Sequence, residues 1–443
     1  MTQEMSRILS REHENLCRAV YRESAIVMKR AYDVFLEDIA GRRFIDFTAG
    51  GVSAVGYSHP RVVEAAVKQA REGLDQCDIA LGVYDLRNDL IEEVKQWVPS
   101  KLANGKVAFG HSGSDIMERA IRLTRFATNR PIIISYYEAH HGATPGALSA
   151  SPTLREMGSH TIARFFQLPG FFYMPFPDSY RPWSGEGSDA GKASLAFLER
   201  LLQTVISPSQ VAGIMVEPVL SYGGNIVPPD GYFQELAKIC KDYEIPLISD
   251  EVMTGIGKTG RMFALEHWGV WPDVLCIGKA LSGNIPLTLL VAENDLAEKW
   301  GRENSVGMSK DGQLLGCAVA LETLRIVREE KLVQHAEKMG HYLLKRLQDL
   351  QEDLQLPGQI RGKGLMLGFD LVKDERTRKP ATQLATKTIE FALKEGLVVG
   401  SVGAQHNVLR FVPPLTIQEQ HIDEAMGHLE KAFRASKDRR QEP

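Results

Sequence analysis

Six short apolar runs, separated by stretches with helical spacing, constrain this chain more than any other feature. Residues 106–109, 131–136, 212–216, 246–249, 274–277 and 287–292 read as strands. Between them, Gly113 to about Phe126, 193–206 and 231–243 carry apolar residues at intervals of three and four, the period of a helix. Strand–helix alternation predicts an α/β fold with a mostly parallel sheet whose two faces are both covered.

The flanks read differently. Residues 33–47 fit two short strands joined at Ala40-Gly41, and Pro60 opens a helix. After about residue 310 come two long helical stretches, 314–328 and 331–350. Apolar segments at 364–371 and 397–400 follow, with a helix at 381–395, the run Val408–Val412, and a last helix over 417–435. This tail predicts a smaller α+β domain with a junction near 310–330. The aromatic, Pro- and Gly-rich region 165–190 reads as a long ordered loop, and Lys437 onward as frayed.

With 443 residues the chain is long enough for two or three domains. A net charge of -4 and the lack of a basic stripe point away from nucleic acid and anionic membranes. No apolar run has the length of a bilayer span, and the first residues are too charged for a secretory signal. The five cysteines are scattered without CxxC spacing, which suits reduced thiols in a cytoplasmic protein.

Two of the strand ends carry charge. Asp250-Glu251 closes the run 246–249, and Lys279 follows the run Val274–Ile277. Open α/β sheets place their chemistry at such ends. A carboxylate and an amine held there suit pyridoxal phosphate, which takes a lysine on its aldehyde and an aspartate on its ring nitrogen. A desolvated lysine has a depressed pKa and becomes nucleophilic. Phe109 to Asp115, FGHSGSD, lies between a strand and a helix, where free N–H groups attract a phosphate. Gly257-Lys258-Thr259 mimics the end of a nucleotide-binding P-loop, but Val252 stands where that loop needs glycine. His140-His141 chelates a metal poorly, because adjacent residues on an extended chain point apart. Arg410 sits inside the apolar run NVLRFV and needs a partner: a substrate carboxylate or an internal salt bridge.

These segments resemble the class III (ω-) aminotransferases, fold-type-I pyridoxal-phosphate enzymes. The resemblance spans nearly the whole chain: FIDFTAGGVSAVGYSHP (44–60), FGHSGSD (109–115), HHG (140–142), VEP (216–218), SDEVMTGIGKTGR (249–261), PDVLCIGKALSGNIPL (272–287), RGKGLMLGFDL (361–371) and VLRFVPPLTI (408–417). It implies a large domain over 61–315 around a mostly parallel seven-stranded sheet, a small domain over 316–443, and an N-terminal segment, 1–60, that joins the small domain. By position, Gly113 and Ser114 would hold the phosphate and His140 would stack on the ring. Asp250 would pair with the ring nitrogen and Val252 would pack on the ring. Glu217 would lie near the cofactor, and Lys279 would form the Schiff base and shuttle protons. Ser309 matches a threonine that reaches the phosphate of the neighbouring subunit, which implies a homodimer, or a dimer of dimers, with shared sites. Arg410 matches the arginine that binds a substrate carboxylate. The implied partners are small amino acids and oxo acids.

Several positions depart from the family pattern. His140 replaces the usual aromatic, Met253 replaces a glutamine that bonds the cofactor's phenolic oxygen, and Gln313-Leu314 replaces asparagine-proline. Tyr222 replaces the second glutamate of EPxxGEGG, which masks the arginine while an ω-amine is bound; its loss argues against a 4-aminobutyrate-type enzyme. The GHSGSD, PDSYRP and VPPDGYF stretches look most like the racemase branch, which includes caprolactam racemase and isoleucine 2-epimerase. EPVLSYGG is also similar to dialkylglycine decarboxylase, although Gly51 stands where that enzyme has a glutamine. The first expectation is an aminotransferase, with an amino-acid racemase or 2-epimerase as the alternative. A decarboxylase or a non-catalytic homologue ranks lower. Racemisation needs a second acid on the far face of the ring, and His140, taken as titrating near neutrality, is the candidate.

Overall fold

Among the described residues, the central sheet has seven strands and a single reversed member. The computed structural model describes residues 2–17, 26–74, 76–79, 81–152, 167–301, 307 and 309–438. An N-terminal group holds β1 (Met28–Tyr32), β2 (Phe35–Asp38) and β3 (Arg43–Asp46). The next seven are β4 (Lys106–Gly110), β5 (Ile132–Tyr136), β6 (Phe171–Met174), β7 (Val211–Val216), β8 (Leu247–Asp250), β9 (Val274–Ile277) and β10 (Thr288–Ala292). The last five are β11 (Gly358–Lys363), β12 (Met366–Leu371), β13 (Leu397–Val398), β14 (Gly400–Val402) and β15 (Val408–Phe411).

The large sheet runs β4-β10-β9-β8-β7-β5-β6, with β10 antiparallel to both its neighbours and the other pairs parallel. Strands β5, β7, β8, β9 and β10 are buried along their whole length. Helices cover both faces, which is why these strands read as continuous apolar runs rather than alternating ones. One face receives Ile116, Met117, Ala120 and Ile121 of the helix Gly113–Thr128. The sequence places these strands within two residues of their positions. It misses β6, which pairs with β5 inside the region read as loop, because the run FFYM lies among prolines and glycines. Residues 165–166 of that region lie outside the described residues. The C-terminal helix also corrects an expectation. It runs from Glu419 to Asp438, and Lys437 donates to the Leu354 carbonyl rather than fraying, while residues 439–443 lie outside the described residues.

Two smaller sheets complete the structure. One is antiparallel, β11-β12-β15-β14. In the other, β13 pairs in parallel with β3, so the N-terminal strands share a sheet with residues 397–398. The N-terminal segment is also bonded to the chain after β15. Val412 N–H donates to the Phe47 carbonyl (2.6 Å), Gly50 N–H to Val412 (2.8 Å) and Leu415 N–H to Ala54 (2.8 Å). This fixes the strand that carries Arg410. The approach is close enough that a Cβ on Gly50 would lie 2.1 Å from the Pro413 carbonyl oxygen. Gly50→Ala should therefore push the two segments apart and destabilise the protein by about 1–3 kcal/mol. A urea unfolding curve compared with that of Gly51→Ala, whose Cβ would meet its nearest neighbour at 3.5 Å, checks this.

Candidate active site

Three neighbouring strands end in three charged side chains. Glu217 follows β7, Asp250 is the last residue of β8, and Lys279 lies two residues beyond β9. All three line one cavity of about 190 Å³. A larger cavity, about 370 Å³, lies behind the loop 220–226, but its arginines are already committed: Arg181 and Arg361 both pair with Asp370. The smaller cavity holds the chemistry.

Asp250 is buried, and both carboxylate oxygens have partners. Oδ1 accepts from Val252 N–H at 3.0 Å, and Oδ2 meets His141 Nδ1 at 2.7 Å. His141 is held in turn by its own N–H on Ser151 Oγ at 2.7 Å. The sequence reading gives His141 no role. Only the fold shows that the loop after β5 brings this ring under β8.

Lys279 has φ 45°, a left-handed conformation uncommon outside glycine, and its Nζ reaches Met253 Sδ at 3.4 Å. Its amine is pushed below the usual lysine range, first by desolvation and then by repulsion from Arg410, with Asp250 and Glu217 partly offsetting both. Val252 packs beside it. A Cβ on Gly278 would lie 3.3 Å from Val252 Cγ1, and so would one on Gly113.

The opposite part of the lining comes from the loops after β5 and β7. His140 N–H donates to Glu217 Oε1 (2.8 Å), and Ser221 N–H donates to Oε2 (3.1 Å). The His140 ring lies 4.4 Å from that of Tyr222, at 43°. Burial, followed by repulsion from Lys279, lowers His140 to about 4. The near-neutral imidazole expected from sequence is thus corrected: His140 is an uncharged ring at neutral pH. Arg410 lies over Tyr222, 5.6 Å from the ring centre, and its buried Nε has no hydrogen-bond partner among the described residues. Among the described residues no carboxylate forms an ion pair with Arg410, so the internal salt bridge is not found. Arg410 itself stands behind Tyr222 rather than in the cavity lining.

The phosphate cup forms at the start of the helix Gly113–Thr128. Ser112 caps it, its Oγ accepting from Asp115 N–H at 3.2 Å. The first N–H groups of a helix have no intrahelical acceptor, and Gly113 and Ser114, which open this helix, both line the cavity, a place suited to an anion. Ser114 Oγ accepts from Ala143 N–H, and a Cβ on Gly142 would lie 2.5 Å from that oxygen, which fits glycine there at φ 137°. Behind the cup, buried Arg119 bonds Asp311 at 2.8 and 3.0 Å and so anchors the turn that contains Ser309. Ser309 is exposed and does not line this chain's own cavity.

These residues fit pyridoxal phosphate. The cup supplies N–H donors, Asp250 an anion braced by His141, Lys279 an amine, and Val252 and His140 the walls for a flat ring. Two buried polar atoms in the lining, His141 Nε2 and Ser221 Oγ, have no hydrogen-bond partner among the described residues.

Glu217 gives a test of the site's electrostatics. Burial, with Asp250 adding to it, raises its carboxyl from 4.5 to about 7. The folded state therefore binds more protons than the unfolded state between these values, and stability falls as pH rises through that window. Urea unfolding of wild type and Glu217→Gln at pH 5 and pH 8 should show wild type losing about 1–3 kcal/mol relative to the variant.

Comparison with known proteins agrees with this geometry. Residues 18–433 match the family described as Aminotransferase class-III. A leucine/methionine racemase of Thermococcus litoralis is 34% identical over 92% of this chain and 90% of its own length. A probable 4-aminobutyrate aminotransferase of Bacillus subtilis is 31% identical over 90% of this chain and 91% of its own. A solved structure described as a transaminase with L-ala superposes with a TM-score of 0.86 at 29% identity, covering 94% of this chain and all of that one. The chain belongs to the class III aminotransferase family of pyridoxal-phosphate-dependent enzymes.

Proposed function

We propose that this chain is an amino-acid aminotransferase that moves an amino group from an α-amino acid to an oxo acid. The observation that carries the reading is the pairing of Lys279, a depressed amine, with Asp250, a fully bonded anion, in one cavity. When bound, pyridoxal phosphate supplies an electron sink for the pair left on the substrate's Cα. The protein's own residues do the rest. Arg410, free of any acid among the described residues, binds the substrate carboxylate. Lys279 Nζ, as a free base, takes the Cα proton and holds it for return. Asp250 is held in place for the ring nitrogen by His141 Nδ1 and the Val252 N–H. His140 and Val252 hold the reacting atoms between them and keep water out.

Racemisation is the second reading, favoured by the 34% identity to a leucine/methionine racemase. It requires an acid that reprotonates Cα from the side away from Lys279. His140 serves poorly there, since at about 4 it carries no proton to give at neutral pH. That supports reading transamination before racemisation.

We also assign the chain to a cytoplasmic homodimer, with the division at 61–315 and 316–443. Its five free cysteines and the strongly exposed Leu81 (82%) and Val83 (88%) support this, since large apolar side chains at such exposure suit an interface. Ser309, exposed on its anchored turn, would serve the partner's phosphate.

Proton NMR in deuterium oxide with a panel of L-amino acids, each with and without pyruvate or 2-oxoglutarate, tests the reaction. Oxo acid that appears only with the second substrate is the expected result. Loss of the α-proton without oxo acid, together with formation of the D-isomer, would replace it with racemisation. Arg410→Met should raise KM for the amino acid by on the order of 10²-fold, as for a lost charged hydrogen-bonded pair, and change kcat less.

A further inference from the structure

Lys258 is wholly buried, and the function described so far does not use it. Its Nζ donates to the Met253 carbonyl at 2.8 Å, and among the described residues it forms no ion pair. The charges around it are mostly of its own sign. Lys279 and Arg410 repel it, and Glu251 is the acid that attracts it. Glu251 is itself saturated, accepting from Thr254 Oγ1, Ala264 N–H and Leu265 N–H. Burying an ammonium in such a place is costly, and an aliphatic side chain of the same length would fill the volume with less penalty. Desolvation accordingly depresses the Lys258 amine to about 7.

The backbone is shaped to put this lysine there. Ile256 (φ 59°) and Gly257 (φ 80°) take left-handed conformations, Gly257 N–H closes onto the Met262 carbonyl, and Leu365 N–H binds the Lys258 carbonyl. The side chain turns back under the segment 250–253. That segment carries Asp250, Val252 and Met253, and the Met253 thioether sits 3.4 Å from Lys279 Nζ. One bond from Lys258 therefore fixes the backbone of the residue that seats the reactive amine.

We propose that Lys258 is a positioning residue of the active site, acting through Met253 on Lys279 and forming with Arg410 a cationic cluster behind that amine. The inference rests on Lys279 being the reactive amine. The groups that set the charge of Lys279 are Arg410, which with burial favours the free base, and Asp250 and Glu217, which favour the ammonium; Lys279 in turn lowers Lys258, and His140 and His141 lie alongside.

The test is read on Lys279 in cofactor-free protein. Limiting acetic anhydride is applied across a pH series, and acetylation of the Lys279 peptide is followed by mass spectrometry in wild type, Lys258→Met, Met253→Leu and the double variant. In Lys258→Met the Met253 seat loosens and water reaches Lys279, whose depression comes first from burial, so the labelling midpoint should move up by about half a pH unit or more, a threefold or larger change in the acid constant. In the Met253→Leu background the same substitution should move it less, because the path is broken. In loaded enzyme Lys258→Met should lower kcat more than it changes KM, since Arg410 itself is retained. An unchanged midpoint in Lys258→Met with a normal melting curve overturns the proposal. So does an equal shift in both backgrounds. Lys258→Gln, which keeps a donor without charge, takes the place of Lys258→Met if the latter does not fold, with the same upward shift expected and its absence equally fatal. If wild-type Lys279 labels at about 10.4, the ordinary lysine value, the reading of Lys279 as an activated amine falls together with this one.

Discussion

Three parallel strands side by side deliver a glutamate, an aspartate and a lysine to the same end of the sheet, and desolvation there forces the rest of the site. A buried charge persists only where hydrogen bonds or an opposite charge hold it. Asp250 is held by His141 Nδ1 and the Val252 N–H. Glu217 receives two backbone N–H groups, yet burial still pulls it toward its protonated form. Lys279 receives a thioether sulfur at 3.4 Å, a weak acceptor, and so stays poised as a base. The gradient runs from a firmly held anion to a loosely held amine. That is the division of labour a proton-transfer site needs.

The loops around this end act mainly as braces. Glu217 ties the loop after β5 to the loop after β7, because its two oxygens take the N–H groups of His140 and Ser221. One buried carboxylate thus sets the position of the ring wall and of the segment bearing Tyr222. The N-terminal segment does the same for Arg410 from the other side. Its backbone bonds at Phe47, Gly50 and Ala54 hold the chain just after β15. Residues more than three hundred positions apart in sequence are thereby fixed around a single cavity.

Strand-level organisation was legible because the central strands are buried on both faces and read as plain apolar runs. Asp250, Lys279 and the Gly113–Ser114 cup were legible for the same reason: they punctuate those runs at their C-terminal ends. What escaped had no local signal. The strand β6 is a four-residue run in a proline-rich region, and β11, GQIRGK, has no apolar alternation. His141 could not be distinguished from His140 by spacing, since only the course of the loop decides which ring turns toward Asp250. Lys258 looked like the tail of a failed nucleotide motif until its side chain was seen running inward. The charge state of His140 was misjudged for a similar reason, because depth of burial and the proximity of Lys279 are tertiary facts.

Tyr222 links the two open questions of substrate and reaction. A glutamate at this position would neutralise Arg410 whenever no carboxylate was bound, and would let one site alternate between ω-amines and oxo acids. An aromatic ring attracts a guanidinium far less strongly than a carboxylate does, on the order of 1 kcal/mol rather than several. On the proposed function, Arg410 is then open to a carboxylate in both half-reactions, as for two substrates that each carry one beside the reacting carbon. The same ring packs on His140 and deepens its burial, and that burial keeps the imidazole uncharged. One substitution thus does two things. On the function proposed above, it leaves the arginine to α-carboxylates and leaves His140 without a proton to give, so that Lys279 is the base that moves the α-proton.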